Sequence, residues 1–386
     1  MSEWKKVKLG DITSIKTGKL DSNAAVPNGA YPFFTCDPTT LSIDKWAYDT
    51  EAILLAGNNA SGNYTAKYYK GKFNVYQRTY IIETLDPQFA SVRFMAYAMN
   101  QQLQLLKVMS SGSTTKFLTM KMLTQLSINL PSIETQNCIA TILSRYDSLI
   151  ENYQKQIKLL EEAAQRLYKE WFVDLRFPGH ENTKIVNGLP DGWEKRTIDD
   201  VTCKVTTGLN PRKNFVLGKG SNYYVTIKNM ADNTFFLDDR CDKVDNEALE
   251  KINKRSDLKI GDILFSGIGT IGRVALVDIP TNNWNVSESV FTLRVNDIVT
   301  KELLYLILLS PDMQNYCQSN AHGAAQKGIR MADLKAYSFN LPPFELVQKF
   351  TSLVTPTIKK ISSIRNQIRL LTEARDRLLP NLLKMK

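Results

Sequence analysis

The sequence predicts an α+β protein with an internal repeat. Two similar β-rich α/β domains are separated by two long helices that pack against each other as a coiled coil. Three observations lead to this architecture: apolar residues follow 4-3 spacing over a long stretch, a second such stretch lies 211 residues later, and short motifs recur in the same order. We assign residues 1–131 to the first domain, 132–177 to the first helix, 178–192 to a linker, 193–341 to the second domain and 342–386 to the second helix.

Each domain opens on a Trp-containing motif followed by a Thr-Gly step, and further motifs then recur in the same order. The matched pairs are 4–12 with 193–201, Gly18 with Gly208, 51–57 with 261–267, Asn74-Val75 with Asn285-Val286, and Gly112 with Gly323. Short runs of Val, Ile, Phe and Tyr broken by Gly, Asn and Asp predict strands joined by turns. Such runs occupy 73–82, 223–227 and 289–295, with short helices expected near 92–108 and 301–316.

The two long helices are predicted from a seam of apolar residues at alternating spacings of four and three. The first seam contains Ile139, Leu143, Tyr146, Ile150, Tyr153, Ile157, Leu160, Ala164, Leu167 and Trp171; the second contains Phe350, Val354, Thr357, Ile361, Ile364, Ile368, Leu371, Arg375, Leu378 and Leu382. A helix of this length must bury its apolar stripe, so we expect each helix to pack against the other. Pro356 should kink the second helix. An alternative interpretation is a pair of ordinary core helices.

Charge favours pairing between the two unlike helices. Residues 132–176 carry six Lys/Arg and seven Asp/Glu, whereas residues 342–386 carry nine Lys/Arg and three Asp/Glu. Two strongly basic helices would repel each other, but a slightly acidic helix and a basic one suit each other at the positions that flank the seam.

Composition excludes several classes of protein. The 386 residues contain five cysteines without a CxxC pair and two histidines, which argues against a structural zinc site and against a disulfide framework. No apolar run is long enough to span a membrane and the first residues do not form a signal peptide, so we expect a cytoplasmic protein. The net charge of +10 permits nucleic-acid binding. The first domain carries 14 basic and nine acidic residues, whereas residues 177–341 carry 20 of each.

Two motifs resemble catalytic or cofactor signatures, but their contexts argue for structural roles. Residues 267–272 match GxGxxG, yet the following residues predict a strand and not the helix that a phosphate cradle needs, so we interpret them as a tight β-turn. Residues 340–344 resemble the Asn-Pro-Pro-Phe motif of amino-methyltransferases, but Leu341 interrupts it, which favours a helix entry. We find no catalytic residues and no metal ligands, and expect no cofactor in this chain.

Polar and basic residues on predicted loops and turns are candidates for contacts with DNA phosphates and base edges, although each could equally be an ordinary surface side chain. In the first domain they are Lys16, Lys19, Asn58, Asn59, Tyr64, Lys67, Arg78, Ser113, Thr114, Thr115 and Lys116. In the second domain they are Asn210, Arg212, Lys213, Lys228, Asn229, Arg273, Gln326, Lys327 and Arg330.

The ordered duplication of these motifs resembles the specificity (S) subunit of type I restriction–modification systems, over essentially the whole chain. The resemblance rests on the Trp-containing opening, the Gly-Asp-Ile-Leu-Phe strand at 261–265, the Ser-Gly-Ser-Thr-Thr-Lys loop at 111–116 and the Leu-Pro helix entry. It implies a non-catalytic subunit in which each domain recognises one half of a bipartite target in double-stranded DNA. It also implies that the two long helices pack as an antiparallel coiled coil, which gives the internal repeat a pseudo-twofold symmetry. Two methyltransferase (M) subunits, which use S-adenosylmethionine, would bind the pseudo-twofold scaffold, and restriction (R) subunits, which use ATP and magnesium, would join them.

Two other functions are open. A coiled-coil scaffold with two β-rich protein-binding modules would show only non-specific DNA affinity that moderate salt abolishes. A methyltransferase in its own right would bind S-adenosylmethionine as the isolated chain.

Overall fold

The structure is a computed structural model that describes residues 4–59, 64–102, 116–323 and 327–384. It divides into two compact units. Unit 1 comprises residues 1–152 and 368–386, and unit 2 comprises residues 153–367. Each long helix is therefore shared between the two units.

Unit 1 contains ten strands and three short helices within its described residues. The strands are β1 (Lys5–Lys8), β2 (Thr13–Thr17), β3 (Tyr31–Phe34), β4 (Leu41–Ile43), β5 (Tyr48–Ala56), β6 (Asn58–Asn59), β7 (Ala66–Val75), β8 (Thr79–Thr84), β9 (Lys116–Phe117) and β10 (Ser127–Leu130). The helices are α1 (Leu9–Ile12), α2 (Val92–Gln101) and α3 (Met120–Thr124).

The main sheet of unit 1 has the strand order β2-β8-β5-β7-β3-β4. All neighbours are antiparallel except β3 and β7, which run parallel. Strand β1 pairs with β10, so the start of the domain is joined to the segment that enters the first long helix. Apolar residues of β5 and β8 and of α2, among them Ile53, Ile82 and Phe94, are fully buried in the core between sheet and helix.

The first long helix, α4, extends from Ile133 to Tyr168, and its next five residues, Lys169–Val173, form a widened π-type turn. Unit 2 then contains β11 (Ile185–Val186), β12 (Leu189–Pro190), β13 (Glu194–Thr197), β14 (Thr202–Thr207), α5 (Pro211–Asn214), β15 (Asn222–Val225), β16 (Met230–Ala231), β17 (Thr234–Phe235), β18 (Asp242–Val244), α6 (Asn246–Ser256), β19 (Ile263–Ser266), β20 (Val274–Leu276), β21 (Trp284–Val286), β22 (Val290–Val295), α7 (Lys301–Leu309), α8 (Pro311–Ser319), α9 (Met331–Ala336) and β23 (Ser338–Leu341). The second long helix, α10, extends from Phe344 to Lys384.

The sheets of unit 2 follow the plan of unit 1 with one interruption. The order β14-β22-β19-β20 corresponds to β2-β8-β5-β7, and β15 pairs in parallel with β21 as β3 does with β7. The single long strand β7 is thus represented in unit 2 by two short strands, β20 and β21. Strand β13 pairs with β23 as β1 pairs with β10.

Backbone contacts show that the predicted repeat is structural. A Cβ on Gly18 would lie 2.1 Å from the backbone oxygen of Val75, and a Cβ on Gly208 would lie 1.6 Å from that of Val286, so only glycine fits at either Thr-Gly step. The side chain of the preceding asparagine accepts from the backbone N–H of Val75 in unit 1 and from that of Val286 in unit 2, at 2.9 and 2.7 Å. The two domains therefore share a framework and differ mainly in their loops.

The long helices pack antiparallel, as predicted, because the start of one meets the end of the other within each unit. In unit 1, Ile139 and Leu143 of α4 share a core with Leu383 of α10. In unit 2, Phe172, just after α4, packs edge-on against Phe350 of α10, with ring centroids 4.6 Å apart. Every predicted seam position is buried or half-buried.

Polar ties join each pair of helix segments to its β-rich domain. In unit 1, Asp147 of α4 accepts from Tyr97 of α2 and from Arg375 of α10, the latter at 2.7 Å. In unit 2, Arg365 of α10 donates to Glu161 of α4 at 2.5 Å and to the backbone oxygen of Asn233 at 2.9 Å. In each unit α4 supplies the carboxylate and α10 the guanidinium.

The structure differs from the sequence prediction in local details. The predicted linker contains a short hairpin, β11–β12, whose turn residues Asn187 and Gly188 both have positive φ. Helix α10 continues through Pro356 without a break, and the predicted kink at this residue stays a prediction. Within the described parts of the chain, none of the helices is both long and apolar enough to cross a membrane.

Candidate nucleic-acid interface

The predicted contact residues of unit 1 are concentrated at one edge of its main sheet. We call this edge the loop rim of unit 1 and define it as residues 35–40, 57–59, 64–67 and 76–79, at the described positions. Its loops are bound to one another. Cys36 lies 2.6 Å from the side-chain oxygen of Asn58, and the N–H of Gly57 donates to the backbone oxygen of Arg78 at 2.8 Å.

Lys67 holds the loop that follows β3. Its ammonium lies 2.6 Å from the backbone oxygen of Pro38 and 3.4 Å from both the backbone oxygen of Asp37 and the hydroxyl of Thr40. Burial lowers the pKa of Lys67, while the charge of Asp37 opposes that change. All three N–H donors of the ammonium thus have an acceptor in one loop, and the side chain acts on the protein and not on solvent.

Unit 2 has an equivalent edge, which we call the loop rim of unit 2 and define as residues 226–231, 267–273, 287–289 and 327–330. The N–H of Gly267 donates to the backbone oxygen of Ser289, as Gly57 does to Arg78, both at 2.8–2.9 Å. The oxygen of Gly267 accepts from Ile329, as that of Gly57 accepts from Leu118. The rims are thus built on matching backbone hydrogen bonds.

Arg273 holds the loop that follows β15. Its guanidinium donates to the backbone oxygen of Ile227 at 3.1 Å and to that of Met230. The loop is also closed on itself, because the side chain of Asn229 accepts from the N–H of Thr226 at 2.8 Å. In both units, therefore, a cation holds the loop that follows β3 or β15. The cation lies in β7 in unit 1 and just before β20 in unit 2.

Several predicted contact residues are exposed and remain candidates for contacts with DNA. Lys19 and Arg78 are exposed in unit 1, and so are Arg212, Lys213, Lys228, Lys327 and Arg330 in unit 2. Lys16 is also exposed, although its ammonium pairs with Glu83 at 2.6 Å. Exposed cations at the edge of a sheet can reach phosphates or base edges.

Other predicted contact residues have structural roles instead. Tyr64 is a correction: it is only 2% exposed, and its ring belongs to the core of unit 1, so it does not present a surface to DNA. Asn210 caps α5 through the N–H of Arg212 and donates to Glu288 at 2.8 Å. Asn58 and Asn229, with the two cations Lys67 and Arg273, are bonded within the rims.

Some predictions fall where the structure gives no information. Ser113, Thr114, Thr115 and Gln326 lie outside the described residues, and the side chains of Asn59 and Lys116 are not described either.

Sequence reasoning missed the loop between β3 and β4. Asp37, Pro38, Thr39 and Thr40 are all exposed, and the loop is ordered by its own side chains: the N–H of Thr39 donates to Asp37 at 2.7 Å. An Asp-Pro-Thr-Thr run indicates a turn. It carries no sign of which surface the turn occupies, and only the topology shows that it lies beside Asn58 and Lys67.

The prediction that a strand and not a helix follows residues 267–272 is confirmed, because β20 begins at Val274. Gly269 and Gly272 have φ angles of +81° and +92°, and the turn joins the antiparallel strands β19 and β20. Residues 340–344 are likewise a helix entry, because Asn340 lies in β23 and α10 begins at Phe344. Among the residues that the structure describes, no group of three His, Cys, Asp or Glu side chains could hold a metal ion.

Comparison with known proteins identifies the repeat. The family described as the type I restriction modification DNA specificity domain matches residues 1–162 and, a second time, residues 190–372. The chain belongs to this family. The two matches begin at the two Trp-containing motifs and each includes part of one long helix, so the family unit is a β-rich domain together with its helix.

Similar members of the specificity family come from bacteria and archaea. The chain is 33% identical over 54% of its length to the type I restriction enzyme EcoDI specificity subunit of Escherichia coli, covering 51% of that protein. It is 30% identical over 72% of its length to the MjaIX specificity subunit of Methanocaldococcus jannaschii, covering 64% of that protein. The chain thus aligns with less than two thirds of either relative. The HindI specificity subunit of Haemophilus influenzae is 22% identical over 99% of both chains.

A solved structure shows the same fold. The type I restriction–modification S subunit from M. genitalium superposes with a TM-score of 0.65 at 19% identity, over 100% of this chain and 97% of that one. The predicted architecture of two α/β domains separated by a helix pair is therefore confirmed.

Proposed function

We propose that this protein is the specificity subunit of a type I restriction–modification enzyme and binds DNA at a bipartite target, one half for each β-rich domain. The chain itself would carry no catalytic residues. The observation that supports this most directly is the pair of loop rims. Matching backbone hydrogen bonds form both rims, but the loops of the two rims differ in sequence. This combination is expected of two domains that recognise different half-sites.

The surface chemistry of the rims suits base reading better than a uniform attraction to phosphate. Hydroxyl, carboxylate and amide side chains are interspersed with single exposed cations such as Arg78, Lys228 and Arg330. Such groups can distinguish base pairs in the major groove, whereas a cation coat would bind any sequence. The neutral charge balance of the second domain fits the same function if its partners supply contacts to phosphate.

The partners we propose are two methyltransferase subunits, joined in the full enzyme by restriction subunits. S-adenosylmethionine would bind to the methyltransferase subunits, and ATP and magnesium to the restriction subunits. The chain itself would bind none of these cofactors. The complex would act in the cytoplasm, where its DNA substrate lies.

A repeated exposed face on the long helices supports a partner that binds twice. From Gln156 to Leu167, eight of twelve residues are identical to the residue 211 positions later, whereas none of the eleven from Ile139 to Leu149 is. The identical set includes four residues that lie outside the seam and are exposed on α4: Leu159, Glu162, Ala163 and Arg166. Their counterparts on α10 are Leu370, Glu373, Ala374 and Arg377, of which Leu370 and Arg377 are exposed and the other two half-buried.

These four residues occupy one helix face, because their spacing is i, i+3, i+4, i+7. Packing inside the chain does not require identity at exposed positions. Leu159 is 65% exposed and Leu370 is 49% exposed, which is unusual for leucines on a helix that already buries a seam. Selection for one partner that binds in two copies accounts for the identity, and a methyltransferase subunit is the occupant we propose.

The test is to co-express the chain with the methyltransferase subunit encoded beside it and to map methylated adenines across the host genome. A split motif with a fixed gap, absent when this chain is omitted, is the expected result. If an assembled and cofactor-binding complex methylates no such motif, and DNA affinity disappears at moderate salt, the protein is the non-DNA scaffold instead.

A further inference from the structure

In both units one cation, in β7 or just before β20, contacts the loop that follows the parallel-paired strand, β3 or β15. Lys67 is the second residue of β7 and pairs with Leu54 of β5. Arg273 lies just before β20, opposite Ser266 of β19, whose N–H donates to the backbone oxygen of Arg273 at 2.9 Å. In the motif match of 51–57 with 261–267, Leu54 corresponds to Leu264, and Leu264 pairs with Ala275. Ala275 therefore corresponds to Lys67, and Arg273 lies two residues before it. Residues two apart on a strand point to the same face, so both cations leave the sheet on one side.

The loops that receive these cations are also equivalent. Residues 35–40 follow β3, and residues 226–231 follow β15, the two strands that pair in parallel with β7 and β21. In each loop the cation contacts two backbone oxygens, those of Asp37 and Pro38 in the first and those of Ile227 and Met230 in the second. A cationic donor makes a stronger hydrogen bond to a carbonyl than a neutral one does. Residues 37–40 of the first loop, and Lys228 and Ala231 of the second, are exposed.

The loops share only their first residue, Thr35 in one and Thr226 in the other. The first reads Thr-Cys-Asp-Pro-Thr-Thr and the second Thr-Ile-Lys-Asn-Met-Ala. Two loops with different base preferences need the same backbone support but different exposed side chains. The bonds to the cation fix the position of the loop, and the loop sequence determines which bases it recognises.

We infer that residues 35–40 and 226–231 are specificity-determining loops, and that Lys67 and Arg273 are positioning residues that fix each loop for base reading. This inference rests on the proposed function. The three donors of the Lys67 ammonium and the Nη1 group of Arg273 are bonded to the loops, which is the contact that supports each loop. Asp37, Thr39 and Thr40 in the first loop, and Lys228 in the second, are the exposed side chains that the support presents.

The experiment compares Lys67→Met and Arg273→Met in the complete chain, each assembled with the methyltransferase subunit, by sequencing all methylated adenines. Lys67→Met should relax base preference in one half-site only, and Arg273→Met in the other half only, by about tenfold in the ratio of correct to incorrect sites. Lys67→Arg should restore most of the preference. Lys70→Met and Lys251→Met, at exposed lysines that pair with Glu51 and Glu247, are the matched controls and should change neither half.

An unchanged motif in both Met variants, with methylation intact, overturns the inference. If Lys67→Met does not assemble, the double variant Asp37→Ala and Thr39→Ala removes exposed side chains and leaves the ammonium in place. An unaltered half-site in that variant also overturns it.

A second measurement separates this inference from the proposed function. The N–H groups of Asp37 and Thr39 are bonded inside the loop at 3.1 and 2.7 Å. Amide hydrogen exchange of residues 35–40 in the full chain should accelerate about tenfold in Lys67→Met and not in Lys70→Met. Unchanged exchange disproves the support of the loop whether or not the chain recognises DNA, whereas faster exchange without any split methylation motif disproves the function alone.

Discussion

Replacing Arg365 by Met should destabilise unit 2 more than any exposed charge substitution on the same helix. Arg365 is only 8% exposed, and its guanidinium bonds both Glu161 and the backbone oxygen of Asn233. Met preserves most of the apolar stem but leaves the carboxylate of Glu161 and that backbone oxygen without their donor. Breaking a buried ion pair from one side costs about 3–5 kcal/mol.

We expect the lower end of that range, because the Glu161 side chain keeps 34% of its surface exposed to water. A loss of about 3 kcal/mol in the free energy of unfolding corresponds to a fall of about 6–12 °C in Tm for a domain of this size. Lys359→Met is the matched control, at an exposed cation of the same helix, and should shift Tm by less than about 2 °C. Calorimetry of the full chain provides the measurement.

The pH dependence gives a second signature. Burial raises the pKa of the Glu161 carboxyl above its ordinary value, and the charge of Arg365 opposes that rise. A carboxyl whose pKa is raised in the folded state favours folding at low pH and loses that contribution as pH rises through its folded pKa. Removing Arg365 raises the pKa further, so the deficit of Arg365→Met relative to the unmutated chain should be larger at pH 8 than at pH 5.

Adding Glu161→Gln to Arg365→Met should recover part of the lost stability at pH 8, because a neutral amide costs less to bury than an unpaired carboxylate. Two results would refute this account of the ion pair: a Tm within about 2 °C of the unmutated chain, or a deficit that does not depend on pH.

Two further predictions concern assembly and the framework. Leu159→Asp and Leu370→Asp should each reduce the number of methyltransferase subunits per complex from two to one, as measured by native mass spectrometry. The control is Leu149→Asp, at a 40% exposed leucine whose repeat counterpart is a lysine, and it should leave two subunits bound. Two subunits in every variant would exclude the proposed docking face. Gly208→Ala should lower the free energy of unfolding in urea by more than about 2 kcal/mol, because its Cβ would lie 1.6 Å from a backbone oxygen. Gly188→Ala, in open space at positive φ, should lower it by about 1 kcal/mol. Equal losses in the two variants would contradict the steric argument.

The parts of the fold that sequence predicted are those in which local pattern and tertiary packing impose the same constraint. The seam positions could be read because a helix repeat of 3.6 residues places Leu143 and Ile150 on one face whatever they touch. The repeated Thr-Gly and Asn-Val steps could be read because a backbone approach admits only glycine at Gly18 and Gly208. Both constraints act on residue type within a few positions of the chain.

The parts that sequence did not predict depend on contacts between distant residues. An arginine such as Arg365 reads as a solvated helix position until Glu161, 204 residues away in sequence, lies beside it. Tyr64 reads as a polar turn residue, yet it fills a core. The sequence makes Lys67 and Arg273 candidates for contact with DNA, but it could not predict that they bond to the backbone oxygens of a loop, because backbone acceptors carry no sequence signal.

The charge difference between the two helices explains why each pairs with the other within this chain. The sequence indicated an acidic first helix and a basic second one. In the structure Asp147 bonds Arg375 in unit 1, and Glu161 bonds Arg365 in unit 2, with the carboxylate on α4 both times. If α4 packed against a second α4 in the same register, Ala164 would stand in place of Arg375 and Gln154 in place of Arg365. Both carboxylates would then lose their cation, and a half-buried charge without its partner costs free energy. The placement of the carboxylates on α4 and the guanidinium groups on α10 therefore favours pairing between the two unlike helices over self-pairing of α4.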